Sequence, residues 1–337
     1  MDGVISTVEA LESQVGARAE AVDLKVIDHL DAHAQRWLAV SPLVFAGFSD
    51  TQQIEVTVAG GSPGFASASG AGLLRIPRAA LDEPLYAKVG RGAGLLFLIP
   101  GLGETLRVNG AVEAVTGDDV VIAVHECYAH CAKALLRSAF WSADEPAAQT
   151  GIDNLPRLLA VCRFMALATA DAELRTDLSP KGDPAGLLMQ GDSTQLCFAD
   201  RPGNRRTDSM RNMLVRPQAA IMLLVPGSAQ VAVVKGRSHM TADTALRQRF
   251  EVQGKVPKVV TVLESPHVIL RESAALLRAR PWMTASAPED IDPAAVFAAH
   301  VKLNKTRGLS AAIARGMVSI PGLMRKGLEQ DYKRNMY

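Results

Sequence analysis

The sequence is poor in the features that mark secreted and membrane proteins. It has four cysteines in 337 residues, and their spacing does not form a disulfide framework. It has no apolar run long enough to cross a bilayer. Its first residues include several acids but no apolar segment of the signal-peptide kind. These absences predict a protein of a reducing compartment, and we expect it in the cytoplasm without a membrane partner.

An excess of charge of either sign is also absent. The 36 Lys and Arg residues are nearly balanced by 35 Asp and Glu residues, which gives a formal net charge of +1. Such a chain has no overall field to attract a nucleic-acid backbone or an anionic membrane. We therefore expect a small-molecule substrate and no nucleic-acid partner, because a polyanionic partner would need a local basic patch.

The chain does have enough hydrophobic content, 48% of its residues, to fill two domain cores. It also contains an internal repeat. Five segments recur in one order, at offsets that grow from 121 to 126 to 141 residues, which indicates a tandem duplication with insertions in the second copy. The matching pairs are WLAVSPLVFAGFSD with LLAVCRFMALATAD, AGGSP with PKGDP, LLFLIPG with IMLLVPG, TLRVNG with VAVVKG, and ALLRSAFW with ALLRARPW.

We therefore divide the chain into a first repeat at residues 25–145, a second repeat at 150–285 and a C-terminal extension at 286–337. The extension is basic overall and has apolar residues at helical spacing, so we expect two or three helices there. Its pattern fits helices that cap a barrel, cover a groove or bind a partner. Attachment to a membrane surface is the less favoured interpretation.

Both repeats consist mostly of short runs with the apolar alternation of β-strands, separated by Gly, Pro, Asp and Ser. Examples are LVFAGF, IEVTV and TLRVNGAVEAV in the first repeat, and FMALAT, QLCFA and AQVAVVKG in the second. Strands at this spacing favour an antiparallel barrel in each repeat. Helices are predicted at DHLDAHAQRWLAV, at HECYAHCAKALLRSAFW and at RTDSMRNMLV, the last with Thr207 or Asp208 near its N-cap.

Two motifs of the second repeat are specific in their residue order: DLSPKGDPAG, from Asp177 to Gly186, and DRPGNRRTDSMRNML, from Asp200 to Leu214. Together with TLRVNG and HCAKALLRS of the first repeat, they resemble an FMN-binding branch of the pyridoxamine 5'-phosphate oxidase-like family over roughly residues 25–285. The resemblance implies a mainly β (α+β) fold with two tandem six-stranded antiparallel split barrels. Members of this family are usually homodimers that hold FMN in the groove between two barrels.

The motifs are divided between the two repeats. The second repeat has SPKGDP and DRPGNRR, whereas the first has AGGSP and no basic loop. The first repeat has Arg107 and Asn109 in TLRVNG, where the second has Val233 and Lys235. If the repeats pack as the family's dimer does, they form a pseudo-dimer within one chain that has one complete groove. This predicts one FMN per chain and leaves further oligomerisation open.

The RPGNRR loop has the residue types that bind phosphate. Asn204, Arg205 and Arg206 precede a predicted helix, so backbone donors, guanidinium groups and the helix dipole would all favour a phosphate dianion. Ser179 and Lys181, on what we predict to be the preceding loop, could complete this cradle, although a solvated basic turn is the alternative. The resemblance further implies cofactor contacts by Arg201, Ser209 and Asn212 of the second repeat and by Thr105, Arg107 and Asn109 of the first.

Two other patterns in the first repeat are less informative. Cys127, His130 and Cys131 are close together in a predicted helix, but a fourth metal ligand is missing, so we favour helix packing and predict no metal. The three glycines of residues 90–94 are spaced like a dinucleotide-binding loop, yet they precede a strand instead of following one. We interpret them as a turn.

The motifs together predict a flavin oxidoreductase, in which FMN carries a hydride and the protein binds and orients the reactants. The sequence identifies no catalytic acid or base. Arg107, His130 and Lys133 are candidates for orienting a substrate or tuning the flavin. The alternative is a non-catalytic protein that stores or senses flavin, or binds haem, because fold alone does not determine function. The motif pattern does not name the substrate.

Overall fold

A computed structural model gives the fold of the chain and describes residues 3–19, 22–142, 152–203, 205–283, 287–318, 326–327, 330, 332 and 336–337. The strands are β1 (Val4–Ile5), β2 (Leu43–Ser49), β3 (Ile54–Gly60), β4 (Ser67–Ala68), β5 (Leu73–Pro77), β6 (Gly92–Leu98), β7 (Thr105–Val115), β8 (Asp119–His130), β9 (Phe164–Ala170), β10 (Thr176–Gly182), β11 (Gln190–Gly191), β12 (Gln195–Ala199), β13 (Gln218–Leu224), β14 (Gln230–Thr241) and β15 (Val260–Glu272). The helices are α1 (Val8–Val15), α2 (Ala32–Val40), α3 (Lys133–Arg137), α4 (Leu155–Val161), α5 (Asp208–Val215), α6 (Thr244–Gln248), α7 (Ala274–Ala279), α8 (Pro293–Leu303) and α9 (Leu309–Val318), with short 3-10 turns at Arg78–Ala80 and Pro84–Tyr86.

The strands form two antiparallel sheets with the same strand order. The first sheet runs β3-β2-β6-β7-β8-β5-β4, and the second runs β10-β9-β13-β14-β15-β12-β11, with β1 added beside β14. Each path has six longer strands and one two-residue strand. Within the described residues no strand ladder joins the two ends of either path, and the first sheet has an isolated bridge between Ala59 and Leu81 across this gap, so each sheet is a split barrel and not a closed one. This is the predicted fold class.

A shared hydrophobic core joins the two sheets. Phe45 and Val58 of the first sheet belong to the same buried cluster as Phe164 and Met222 of the second. The ring centroids of Phe45 and Phe164 are 5.5 Å apart. Every residue of β2 and of β9 is buried, because one face of each strand fills its own barrel and the other face fills the shared core. The two barrels therefore form a pseudo-dimer within the chain.

Each repeat also places a short helix on the edge strand of the other repeat: α3 packs on β10, and α7 packs on β3. Glycine permits both contacts. A Cβ atom added at Gly182 of β10 would lie 1.9 Å from the carbonyl oxygen of Ala134, and one added at Gly60 of β3 would lie 2.4 Å from that of Ala275. The two contacts occupy matching places in the two halves, as an approximate twofold arrangement requires.

Two of the local predictions are wrong. The segment HECYAHCAKALLRSAFW, predicted as one helix, begins as strand β8, which pairs with β7 as far as His130; the helix is limited to Lys133–Arg137. The SPKGDP segment, predicted as a loop, lies largely in β10. Pro180 is tolerated there because β10 is an edge strand that pairs only with β9, so the missing N–H breaks no second ladder.

The helix predicted after DRPGNRR is confirmed as α5, with Thr207 at its N-cap. The segment before the first predicted repeat packs on the second sheet, because β1 pairs with β14 and Leu11 of α1 lies in the second core. From the extension, Val296 of α8 enters the core of the first sheet. Most of the join between the repeats lies outside the described residues. None of the described helices combines the length and the apolar character needed to span a membrane.

Candidate functional site

A cavity of about 970 Å³ lies where the two repeats meet. Cationic and polar side chains from both repeats form its wall, together with a smaller number of carboxylates. Most of the predicted site residues line it. The polar lining groups are Arg107, His130, Cys131, Lys133 and Arg137 of the first repeat, and Ser179, Lys181, Asp183, Asp200, Arg201, Arg205, Arg206, Thr207, Asp208, Ser209, Lys255 and Lys258 of the second.

Strand β10 forms one wall of the cavity with the side chains of one of its two faces. Asp177, Ser179 and Lys181 are the partly exposed residues of this strand, and successive side chains of a strand point to opposite faces, so the three share one face. The Oγ atoms of Ser179 and Ser209 are 2.7 Å apart, which connects the strand to α5. Lys181 Nζ donates to Asp200 at 3.2 Å, which connects it to the DRPGNRR segment.

Arg107 of β7 reaches this wall from the first repeat. Its side chain is 1% exposed. Its Nη1 donates to the Tyr128 hydroxyl at 2.9 Å and its Nη2 donates to Ser179 Oγ at 3.0 Å. Its Nε atom is buried and has no hydrogen-bond partner among the described residues. Arg107 is thus held by groups of both repeats and retains one unused donor.

Asp177 is central to this contact, and the sequence did not identify it as a site residue. Its Oδ1 accepts from Asn109 Nδ2 at 2.8 Å and lies 3.4 Å from Arg107 Nη1, and its Oδ2 accepts from Asn212 Nδ2 at 3.2 Å. Burial raises the pKa of Asp177 to about 6, although the Arg107 cation opposes this rise. Asp177, Ser179 and Lys181 are alternate residues of the segment, and alternate residues of a strand share one face. The sequence would have identified Asp177 as a site residue only if this segment had been predicted as a strand.

The two arginines of the predicted phosphate loop lie in different environments. Arg206 is buried and pairs with Asp208, and its guanidinium carbon lies 4.3 Å from the centroid of the Tyr128 ring. Asp208 also pairs with Arg18, which comes from the segment before the first repeat. Arg205 is exposed and has a positive φ of 55°. Both line the cavity, but only Arg205 is open to solvent.

The remaining predicted cofactor residues divide into two groups. Arg201 lines the cavity, and its Nε donates to both carboxylate oxygens of Asp183, at 3.0 and 2.8 Å. Its Nη2 is buried without a partner among the described residues. Thr105, Asn109 and Asn212 are buried outside the cavity lining, where the two asparagines support Asp177. Asn204 lies outside the described residues.

Lys25 is a buried cation that the sequence did not single out. Its Nζ donates to the carbonyl oxygen of Ala129 at 2.7 Å and lies 5.5 Å from the centroid of the Tyr128 ring. Burial, with a smaller contribution from the neighbouring cations Arg206 and Arg107, lowers its pKa to about 8. Three cations therefore surround Tyr128, and the field at this end of the cavity is positive.

His130 and Lys133 also belong to this end of the cavity. Burial, together with the nearby cations Arg107, Lys25 and Arg206, holds the pKa of His130 well below its ordinary value. The imidazole is therefore neutral near pH 7, and its Nδ1 atom is buried without a hydrogen-bond partner in the described part of the chain. Lys133 is buried at the first position of α3 and lines the cavity.

Tyr337 also lines the cavity. The guanidinium carbons of Arg137 and Arg201 are 5.6 and 5.8 Å from the centroid of its ring. Arg137 Nε donates to the carbonyl oxygen of Met336 at 2.5 Å, and Lys255 Nζ donates to that of Tyr337 at 2.9 Å. The last described residues thus form part of the wall.

The matching place in the other half has a different character. By strand register, Val233 takes the place of Arg107 and Ile269 that of Tyr128. Glu55 takes the place of Asp177 and forms an ion pair with Lys235, which stands where the first sheet has Asn109. Lys235 Nζ also lies 5.2 Å from the centroid of the Tyr86 ring. The charges here neutralise each other, and apolar side chains replace the anchors of the site.

Several comparisons with known proteins bear on the chain. No curated protein matches it in sequence. Among solved structures, HupZ of Group A Streptococcus is similar with a TM-score of 0.28 and 15% identity, over 33% of this chain and 86% of its own. HutZ, a heme storage protein from Vibrio cholerae, is similar with a TM-score of 0.24 and 13% identity, over 33% and 85%. A pyridoxamine 5'-phosphate oxidase-related, FMN-binding protein from Nostoc punctiforme is similar with a TM-score of 0.24 and 19% identity, over 35% and 76%.

The described His, Cys, Asp and Glu residues form no group of three or more that could hold a metal ion.

The family comparison concerns the part of the chain that contributes the strand β10 wall and the DRPGNRR segment. Residues 153–299 match the family model described as pyridoxamine 5'-phosphate oxidase, so this part of the chain is similar to that family.

Proposed function

We propose that the chain binds one FMN molecule in this cavity and acts as an FMN-dependent oxidoreductase on a small-molecule substrate. The observation that best supports the proposal is that residues from the motifs of both repeats line one cavity. Arg107 and His130 of the first repeat line the same cavity as Ser179, Lys181 and Arg201 of the second. The family match of residues 153–299 supports it, since the motifs of that region resemble an FMN-binding branch of the family.

The residues present suit an anionic flavin. The cavity volume lies within the range of about 300 to 1,000 Å³ that is usual for small-molecule sites. Guanidinium and ammonium groups are the donors that recognise phosphate. Three lining residues keep a buried polar atom without a partner in the described structure: Arg107 at Nε, Arg201 at Nη2 and His130 at Nδ1. Such atoms cost free energy unless a ligand or water satisfies them.

The two repeats would then have different roles. Lys181, Arg201 and Arg205, with the hydroxyls of Ser179 and Ser209, would hold the phosphate. Arg107, His130 and Lys133 would face the ring or the substrate. Bound FMN would supply hydride transfer. The neutral imidazole of His130 offers Nδ1 as a donor or an acceptor, depending on its tautomer, and the surrounding cations keep it from taking up a second proton.

Haem binding is the alternative function, and one observation favours it. A neutral imidazole with an unused nitrogen in a cavity wall is the kind of group that binds haem iron, and His130 meets this description. A non-catalytic flavin store or sensor would use the same residues as the oxidoreductase. Four free cysteines are in keeping with the reducing, cytoplasmic compartment that we include in the proposal.

The absorption spectrum of the purified protein, and of the apo-protein titrated with FMN or with haemin, distinguishes these functions. The proposal expects the two bands of oxidised flavin, bleached by dithionite, and flavin-dependent oxidation of a reduced nicotinamide or similar donor. A Soret band that His130→Ala abolishes, without flavin binding, would establish the haem alternative. Flavin binding without turnover of any reductant would favour the store or sensor.

A matched pair of variants tests the location. Lys181→Met should weaken FMN binding about tenfold or more, because a charge-assisted hydrogen bond contributes on the order of 1.5 to 3 kcal/mol. Lys235→Met, which alters the matching half, should leave FMN affinity unchanged. Equal losses in the two variants would argue against the cavity as the flavin site.

A further inference from the structure

Asp177 links the two repeats through its two carboxylate oxygens. Oδ1 faces the first repeat, where it accepts from Asn109 at 2.8 Å and lies 3.4 Å from Arg107 Nη1. Oδ2 faces the second repeat, where it accepts from Asn212 of α5 at 3.2 Å. The carboxyl side chain is 16% exposed. One acidic group therefore connects the strand that presents Arg107 to the helix that follows the phosphate loop.

This arrangement fixes the direction of the Arg107 guanidinium. Asp177 and the Tyr128 hydroxyl meet its Nη1, and Ser179 Oγ accepts from its Nη2. A planar guanidinium held at both terminal nitrogens loses little further entropy when it binds another group. Asp177 is the carboxylate that pairs with Arg107 within the described residues. Without that partner, a buried cation would stand in a low-dielectric wall and would turn toward the cavity to regain solvation.

The other half shows that the fold alone does not require this contact. Glu55, at the position equivalent to Asp177, pairs with Lys235 and not with an arginine. Val233 occupies the place of Arg107 and lies in the shared apolar core. A carboxylate at this register is compatible with either set of neighbours. The combination with Arg107 occurs in the half that contains the cavity.

We infer that Asp177 is a positioning residue of the site: it holds the Arg107 guanidinium against Ser179, so that Arg107 lines the cavity in one fixed orientation. The part that concerns flavin affinity rests on the proposed function. The part that concerns the orientation of Arg107 does not, because the contacts exist without any ligand.

The first test uses the full chain without FMN. Phenylglyoxal modifies accessible guanidinium groups, and mass mapping of peptides reports the rate at Arg107. Arg107 should react slowly in the wild type and at least about tenfold faster in Asp177→Asn. The free energy of a buried ion pair is larger than the amount that corresponds to a tenfold change in rate. Glu55→Gln, the matched control, should leave Arg107 protected. Equal rates at Arg107 in the wild type and Asp177→Asn would overturn the inference.

The second test measures FMN affinity in Asp177→Asn, Arg107→Met and the double variant. A positioning role predicts that each single variant binds FMN about tenfold more weakly and that the double variant is no weaker than the worse single one, since both changes remove the same group from the wall. Additive losses would show that Asp177 acts independently of Arg107 and would overturn the inference. Unchanged affinity in Asp177→Asn would do the same.

Failure of the proposed function and failure of the positioning role of Asp177 would give different results. A wild-type protein that binds no FMN contradicts the proposed function, and the labelling of Arg107 still decides the positioning role. If Asp177→Asn does not fold, Asp177→Ser replaces it in both tests, because its shorter and uncharged side chain also removes the carboxylate that faces Arg107. Faster labelling of Arg107 in this variant supports the inference, and unchanged labelling overturns it.

Discussion

Lys25 illustrates how this site concentrates positive charge. It lies among Arg107 and Arg206 around the Tyr128 ring, and within the described residues no carboxylate forms an ion pair with it. Its ammonium group has the Ala129 carbonyl oxygen as a hydrogen-bond acceptor. An ammonium group without a counter-charge is costly to bury, which is why its pKa falls to about 8 from the ordinary 10.5.

This lowered pKa makes stability depend on pH. The folded protein binds the Lys25 proton more weakly than the unfolded chain, so the free energy of unfolding should rise with pH between about 8 and 10.5. Lys25→Met removes this contribution. The stability of the variant relative to the wild type should be highest near pH 7 and should fall by up to about 3 kcal/mol across that window. Urea denaturation at several pH values measures the difference, and a difference that does not vary with pH would contradict this account.

Arg205 and Arg206 should respond differently to replacement. Arg206→Ala should lower the free energy of unfolding by at least about 2 kcal/mol, because it removes a buried guanidinium and leaves the half-buried Asp208 with one partner fewer. Arg205→Ala should change it by no more than about 0.5 kcal/mol, because Arg205 is exposed. Both variants should bind FMN more weakly in titrations. If Arg205→Ala binds FMN like the wild type, Arg205 is not part of the phosphate site.

The candidate residues that belong to recognisable motifs come together at one cavity, and their role in binding a cofactor stays a prediction. Arg107, Ser179, Lys181, Arg201 and Arg206 all line the cavity, as their motifs suggested. The supporting residues could not be predicted in the same way, because their roles depend on partners that are distant in sequence. Arg18 meets Asp208 across 190 residues, and Lys25 meets Ala129 across 104.

At the scale of elements, β7 was predicted with its observed bounds, and its polar and apolar residues alternate from Thr105 to Asn109. Strand β10 was missed because its proline and glycine are signals of a turn, and only its edge position makes them acceptable in a strand. The end of strand β8, HECYAH, was taken for a helix because only two residues separate it from the helical KALLR segment. In the folded chain this segment is a strand because it pairs with β7.

The contact between β10 and α3 depends on the absence of a side chain at Gly182. Gly182→Ala would bring a Cβ atom to within 1.9 Å of the Ala134 carbonyl oxygen, so the helix or the strand must move. We expect a loss of stability of about 2 kcal/mol or more. Gly117→Ala is the control, since an added Cβ there meets nothing within 4 Å, and it should change stability by at most about 0.5 kcal/mol. Thermal unfolding of both variants checks the prediction, and equal effects would contradict it.

At the scale of the whole molecule, the two halves share a strand order but not a site. One half combines Arg107, Tyr128 and Asp177 with the loops of the second repeat. The other half has the ion pair of Glu55 with Lys235 among apolar replacements. A phosphate dianion in that second place would be desolvated without adequate donors, at a cost of several kcal/mol. A duplicated fold with one functional groove is the arrangement that we propose.

Titration of the apo-protein with FMN, with bound equivalents counted per chain, tests this account most directly. It predicts one tight site per chain, which Lys181→Met weakens and Lys235→Met leaves unchanged. Two equivalent tight sites would show that the division of motifs between the repeats has no consequence, and no binding would show that this split barrel does not use FMN.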